Sequence, residues 1–364
     1  MAKENNHLEI PMREQLKKFA IKSMIGFQTV IVFGMGKQLG IFEYLYEKAT
    51  SEKQEKEIKF LSFTIEELSK NLKLDMKYLD AWLHMALECG IFELDVSNER
   101  TVKTAPHVYD ILINHQSMFY VGGTMDSFYR ISLYNDILIN GFKTGENVKV
   151  FDMPVEVNKG SQQASEKFGS LIERLFAKSC KEDRKKLLHG AKVLEVGCGY
   201  GNNLKTWAKN YPKANFIGID IDPYGVNEAQ KLIDKQNWND RIKVKEISIE
   251  KFVDITDRRF DLIILNQVLH EMDPDENYRI ATLNNIYTLL KNDGLLIIGE
   301  SMIPDTFTVK NESLLFEVMH KWLEVGFESR FYDENSFRIF IQSTKFKNPE
   351  LLKDRGTYFW AIRK

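Results

Sequence analysis

Apolar and polar positions along this chain recur at a helical interval in its first part and in alternating short runs and helical stretches in its last. From Gln15 to about Leu112 the pattern predicts helices. Thr64-Ile-Glu-Glu67 has the layout of a capping box, a second helix is expected around Met76 to Glu88, and Gly90-Ile-Phe-Glu-Leu with Arg100-Thr-Val-Lys-Thr predicts a short hairpin. From Ala191 onward, strands are expected at Val193 to Val196, Asn215 to Asp220, Ile242 to Ile247, Asp261 to Asn266, Leu295 to Glu300 and Tyr358 to Arg363. Between them fall helices near Asn202 to Asn210, Gly225 to Lys235, Glu276 to Leu290 and Ser336 to Thr344. Such alternation implies an α/β architecture with a largely parallel sheet and helices on both faces, and it sets Gly197, Asp220, Asn266 and Glu300 at the strand C-termini, where ligands bind in sheets of this kind.

Two stretches read differently. Tyr109 to about Lys149 is expected to be irregular: Met118, Phe119, Tyr120, Phe128, Tyr129 and Tyr134 are interleaved with Gly122, Gly123 and Gly141, either as the lid of a pocket or as interdomain packing. Ser165 to Leu188 predicts one long amphipathic helix. The expected divisions are residues 1–112, a connecting region 113–188, and 189–364.

With 364 residues, 43% hydrophobic, the chain can bury more than one core. A formal charge of -2 supplies no general pull toward nucleic acid or anionic membrane. Cys89, Cys180 and Cys198 are too far apart for a disulfide framework or a zinc site, so no metal is expected and a reducing cytoplasm fits. Met1 to Lys18 is too polar for a signal core, and Ile21 to Met35 reads as too short and interrupted to span a bilayer. That stretch carries Met24, Phe27, Val30, Ile31, Phe33 and Met35, so a helix there is apolar on most faces and is expected to be buried between two subunits. Helices followed by a hairpin look like a winged helix. The segment Lys77 to Glu88 is mostly apolar and the region is balanced in charge, which favours dimerisation over nucleic-acid binding.

The strongest chemical signal is Val193-Leu-Glu-Val-Gly-Cys-Gly-Tyr-Gly201. Gly197, Gly199 and Gly201 permit a tight turn and close approach of a ligand to the main chain. The helix that follows turns its N-terminal N–H groups toward that ligand, and Asp220 ends the next strand roughly 20 residues on, where a ribose-binding acid is expected. The pattern is G-x-G-x-G preceded by Glu195, whereas a pyrophosphate-binding loop has G-x-G-x-x-G and would be repelled by that acid. It resembles motif I of the class I S-adenosylmethionine (SAM) methyltransferases, in which the acid lies near the methionine end of the cofactor. A glycine-rich turn without a ligand is the alternative. The expected cofactor set is Glu195, Gly197, Cys198, Gly199, Gly201, Asp220, Ile221, Ser248, Ile249, Asn266 and Gln267.

A second constellation closes the strand Asp261-Leu-Ile-Ile-Leu-Asn266, where His270 and Glu271 follow, and Glu300 ends the neighbouring strand. An imidazole can take a proton near neutral pH, and a carboxylate can orient it and stabilise its cation. Leu269-His270-Glu271-Met-Asp-Pro-Asp-Glu is similar to the L-H-D-W-S-D-E stretch of plant-type small-molecule O-methyltransferases and their bacterial and archaeal relatives, and Glu300-Ser-Met-Ile-Pro to their E-S-I-L-P stretch. The resemblance implies a winged-helix-like dimerisation domain before a Rossmann-like seven-stranded SAM domain, a small-molecule acceptor, His270 as general base and Glu300 as its partner. Departures are Glu271 for aspartate, Met272 for tryptophan, Glu195 for the plant family's motif I aspartate, no acid at Ser248, and Asn266 in the place of a cofactor-contacting lysine. A further family acid has a blurred echo near Gly326-Phe-Glu328-Ser-Arg330. O-methylation, N- or C-methylation by positioning alone, a SAM-binding regulator and a binding protein without turnover remain the alternatives.

Overall fold

The computed structural model describes residues 11–51, 60–98, 100–117, 119–132, 135–147, 169–309, 314–354 and 357–364. Met118, Tyr134 and the first four residues of the Ser165 to Leu188 helix lie outside them, as do the first ten residues. The described residues form two compact units, one up to Asn135 and one from Asp136.

In the first unit, Met12–Leu16, a π-helical stretch Lys17–Lys22 and Ser23–Gln38 run on as one helix. At 27 residues, Met12–Gln38 is long and apolar enough, by length and composition alone, to cross a membrane. The helix thus extends past both ends of Ile21 to Met35, with Lys17, Lys18 and Lys22 within it. Phe19 and Phe27 on it are exposed, while Val32 and Phe33 are buried. The buried end joins a core with Phe42, Trp82 and Phe92, where Trp82 donates Nε1–H to the Val32 carbonyl at 2.9 Å. The helices Ile65–Leu72 and Met76–Glu88 begin at side-chain caps, Thr64 Oγ1 accepting from Glu67 N and Asp75 from Lys77 N and Tyr78 N. The expected hairpin is β2 (Phe92–Leu94) with β3 (Thr101–Thr104), and β1 (Ser62–Thr64) adds an unforeseen third strand in the order β1-β3-β2, all antiparallel.

The region after Tyr109 holds three helical segments, Tyr109–Ile113, Gly122–Ser132 and Asn135–Thr144, with irregular backbone at 114–117, 119–121 and 145–147. Gly122 and Gly123 open a helix, where glycine costs little. Tyr129 packs directly against Gly34, which has no side chain to obstruct it. The stretch up to Leu188 is two helices, 169–179 and Lys181–Leu188, because Cys180 leaves the helical region at φ −103°, ψ 59°.

The second unit is built on seven strands: β4 (Lys192–Val196), β5 (Asn215–Asp220), β6 (Ile242–Glu246), β7 (Phe260–Asn266), β8 (Leu290–Gly299), β9 (Glu350–Asp354) and β10 (Thr357–Arg363). Their order is β6-β5-β4-β7-β8-β10-β9. The first five run parallel, and β10 pairs antiparallel with both β8 and β9. Strands buried on both faces explain near-continuous apolar runs such as Leu262 to Leu265 and Leu295 to Ile298. One face packs against Phe252, Leu283, Ile286, Phe337 and Phe340, the other against Phe176, Leu187, Leu204, Trp207 and Tyr211. The chain reverses direction across the sheet between β4 and β7, and that switch point is where β4, β5 and β7 deliver their C-terminal loops.

Candidate active site

The glycine loop turns sharply because three of its residues adopt positive φ: Gly197 at 72°, Gly199 at 46° and Gly201 at 76°. Gly197 is also sterically committed, since a Cβ there would meet Val268 Cγ2 at 2.4 Å. The loop is pinned to the neighbouring strand: Gly197 N and Cys198 N both donate to Ile219 O, and Asp220 Oδ2 accepts from Gly199 N at 2.7 Å. Asp220 Oδ1 accepts from Asp222 N at 2.9 Å. Each carboxylate oxygen keeps a second lone pair, so Asp220 can position the loop and still receive a ribose hydroxyl. Burial raises its pKa. Cys198 is buried, with its sulfur against Gly218, and so packs the loop from behind.

Glu195 lies inside the protein at the end of β4. Its Oε1 accepts from Asn203 Nδ2 at 2.8 Å, while Oε2 is buried with no partner. Desolvation pushes this carboxyl up to about 8. Asn266 Oδ1, at the end of β7, is likewise buried without a partner. Two orphaned acceptors beside a glycine cradle fit a ligand that brings donors or positive charge, as the ammonium and sulfonium of SAM do. Gln267 follows in the left-handed region at φ 57°, a conformation that costs a non-glycine residue about 1–3 kcal/mol and turns the chain out of β7. Ser248 stands at the N-cap position of the helix Ile249–Ile255 just past β6 without a side-chain capping bond, Ile249 is buried, and Ile221 is exposed just past β5.

Beyond Gln267 the chain wraps around Glu300. One carboxylate oxygen, Oε1, accepts from the backbone N–H groups of Val268, Leu269 and His270 at 3.2, 2.7 and 3.4 Å. The other, Oε2, lies 2.7 Å from His270 Nδ1. The far nitrogen of the same ring, Nε2, lies 3.1 Å from Glu324 Oε2, at the end of the helix Leu315–Glu324. Phe331 stacks on the imidazole at a centroid distance of 4.9 Å. His270 is 2% exposed. Burial alone would lower its pKa, yet Glu300 and Glu324 raise it well above the ordinary value, and Glu324 is depressed in turn by His270 and His320.

The turn carrying His270 is held by Arg279, fully buried in the helix Glu276–Leu289, whose guanidinium donates to the carbonyls of His270, Met272, Asp273 and Arg330. Glu271 is not a hydrogen-bond partner of the His270 ring. Glu271 is exposed.

The geometry thus brings His270 and Glu300 together as expected and adds two residues that sequence reasoning missed, His320 and Glu324. Glu328, in the stretch Gly326 to Arg330, accepts from Asn147 Nδ2 at the surface. A usable signal was the pair His320 and Glu324 in a helical stretch, since i and i+4 share one face.

Comparison with known proteins fits this picture. Residues 194–296 match the family described as Methyltransferase domain. A tRNA1(Val) (adenine(37)-N6)-methyltransferase of Trichodesmium erythraeum is 27% identical over 117 residues, 32% of this chain, and the match spans about half of that relative's length. Among solved structures, human N-acetylserotonin methyltransferase in complex with SAM aligns over 98% of this chain and 99% of its own at 16% identity and a TM-score of 0.66. The mitomycin 7-O-methyltransferase aligns over 97% and 98% at 15% identity and the same TM-score. The fold is that of the class I methyltransferases with an N-terminal helical domain. Residues 194–296 thus carry a methyltransferase domain on that fold.

Proposed function

We propose that the chain moves the methyl group of SAM to a hydroxyl of a small-molecule acceptor, with His270 as general base. The observation that carries this reading is the ring of His270, held at Nδ1 by Glu300 and facing Glu324 at Nε2, immediately after a cofactor-type strand end. Glu195, Gly197, Gly199, Gly201, Asp220 and Asn266 would hold SAM, with Cys198, Ile221, Ser248, Ile249 and Gln267 around them. When bound, the cofactor supplies an electrophilic methyl on a sulfonium. What remains for the protein is to orient the acceptor, exclude water and take its proton.

Glu300 keeps Nδ1 protonated, so the lone pair of a neutral His270 is on Nε2, the nitrogen that takes the acceptor's proton. Glu324, anchored by His320 Nε2 at 2.7 Å and by Ser329 Oγ at 3.0 Å, then stabilises the imidazolium. General-base help of this kind is worth ~100- to 10,000-fold, so His270→Ala should cut turnover within that range while calorimetry finds SAM binding unchanged. Undiminished turnover would remove the base assignment. The N-terminal unit serves, in this reading, as a winged-helix-like dimerisation module of a cytoplasmic homodimer, supported by the exposed apolar residues of Met12–Gln38. A monomeric mass in light scattering at micromolar protein would count against the dimer.

A further inference from the structure

We propose that His270, His320 and Glu324 form a binding site for a borderline divalent cation of the Zn2+ type. One donor atom from each of the three residues lies within 4.8 Å of the other two. Glu324 stands between the imidazoles, with Oε2 3.1 Å from His270 Nε2 and Oε1 2.7 Å from His320 Nε2. Two imidazole nitrogens and one carboxylate are a donor set that Zn2+ and its neighbours in the first transition row favour, at bond lengths of about 2.0–2.2 Å. Donors around a tetrahedral ion of that size stand roughly 3.3 Å apart, so the two histidine–glutamate pairs, at 3.1 and 2.7 Å, open slightly to admit one while the imidazole donors stay within the 4.8 Å they already span.

The surroundings match a metal site as well. Each histidine has its other ring nitrogen held by an oxygen: Glu300 Oε2 at 2.7 Å from Nδ1 of His270, and Ser301 Oγ at 3.2 Å from Nδ1 of His320. Such outer contacts fix the ring orientation and leave Nε2 as the ligating atom. Ser329 Oγ donates to Glu324 Oε2 and orients the carboxylate in the same way. Glu300 and Glu324 bring two negative charges to an interior position, and a divalent ion balances them with both imidazoles neutral. Cysteine spacing gives no hint of any of this, because the three ligands come from two distant segments that only the fold unites.

Occupancy has a consequence that rests on the base reading above: an ion on Nε2 takes the lone pair with which His270 accepts a proton, so metal binding and base catalysis exclude each other. The test is titration of the full, chelator-treated chain with Co2+, read by its visible d–d absorption. One equivalent with the intensity of a four- or five-coordinate centre is expected, bleached by added Zn2+. His320→Ala and Glu324→Gln, checked for folding by circular dichroism and for SAM binding by calorimetry, should each weaken the Co2+ signal at least ~10-fold. No saturable absorption, or the same absorption in both folded variants, overturns the site. If the absorption appears and Zn2+ leaves methyl transfer undiminished, the metal site stands and the assignment of His270 as base falls.

Discussion

His270 and Glu324 meet at 3.1 Å between Nε2 and Oε2, although one follows a central strand and the other ends a helix near the far edge of the sequence. With Glu300 on the opposite nitrogen, the ring has an anion at each end, and that double pairing outweighs the burial that opposes its charge. The raised pKa favours the protonated ring, and a base must be deprotonated to work. Turnover should therefore climb with pH across a limb above the usual histidine range. Glu324→Gln removes one of the anions, lowers the pKa of His270 and should move that limb toward lower pH. The measurement is kcat against pH for both proteins at saturating acceptor. A limb that stays in place would show that His270 is not the titrating group.

Gly197 and Val268 make a second pair with a sharp expectation. Gly197→Ala forces a side chain into positive φ, at about 1–3 kcal/mol, and drives its Cβ to 2.4 Å from Val268 Cγ2, adding overpacking of about 1–3 kcal/mol. SAM affinity should fall at least tenfold. Val268→Ala in the same chain removes the clash but not the backbone strain, so the double variant should recover part of the stability lost, measured by urea denaturation. Equal stability of the single and double variants would show that the loop relaxes away from Val268.

Much of this site was legible because the relevant residues follow strands whose periodicity is strong. Asn215–Asp220 and Asn202–Asn210 have the bounds that apolar spacing and the glycine turn indicate, and Glu195, Asp220, Asn266 and Glu300 all stand at strand ends. What stayed hidden has physical reasons. Glu324 reaches His270 through tertiary packing of an amphipathic helix, for which local sequence encodes only the i, i+4 pairing with His320. β9 is an edge strand that owes its existence to β10, and β1 is three residues long. The aromatic stretch after Tyr109 looked broken by glycines, yet Gly122 and Gly123 begin a helix instead of ending one.

Glu195 is predicted to trade stability for binding. Its pKa, near 8 in the folded protein against about 4.5 in the unfolded chain, means that the folded state binds the extra proton across that interval. Stability associated with this group is thus fully present below pH 4.5 and is lost as pH rises toward 8. Glu195→Gln keeps the shape and abolishes the titration. The free variant should be more stable than the parent at pH 8 in urea denaturation, by an amount on the order of a few kcal/mol, and the two should converge near pH 5. SAM should bind the variant about 10- to 100-fold more weakly, since a charged hydrogen-bonding partner worth about 1.5–3 kcal/mol is gone. A variant that loses stability at pH 8 while binding SAM normally would contradict both halves.

Arg279 should control the placement of His270 without touching any reacting atom. Its guanidinium donates to four carbonyls, those of His270, Met272, Asp273 and Arg330, and Arg330 N separately donates to His270 O at 2.9 Å. Replacing it by methionine fills the volume but leaves the carbonyls of Met272, Asp273 and Arg330 without that donor, while His270 O keeps Arg330 N; at ~1 kcal/mol or more for each that water cannot reach, a loss of up to about 3 kcal/mol is expected in urea denaturation. Arg279→Lys should recover only part, because an ammonium cannot span acceptors that a planar fork reaches together. In the lysine variant, which is the better folded of the two, kcat should fall with SAM affinity nearly unchanged, because the turn that aims His270 is loosened while the glycine loop is not. A proportional loss of kcat and SAM affinity would place Arg279 in general stability and not in the aiming of the base.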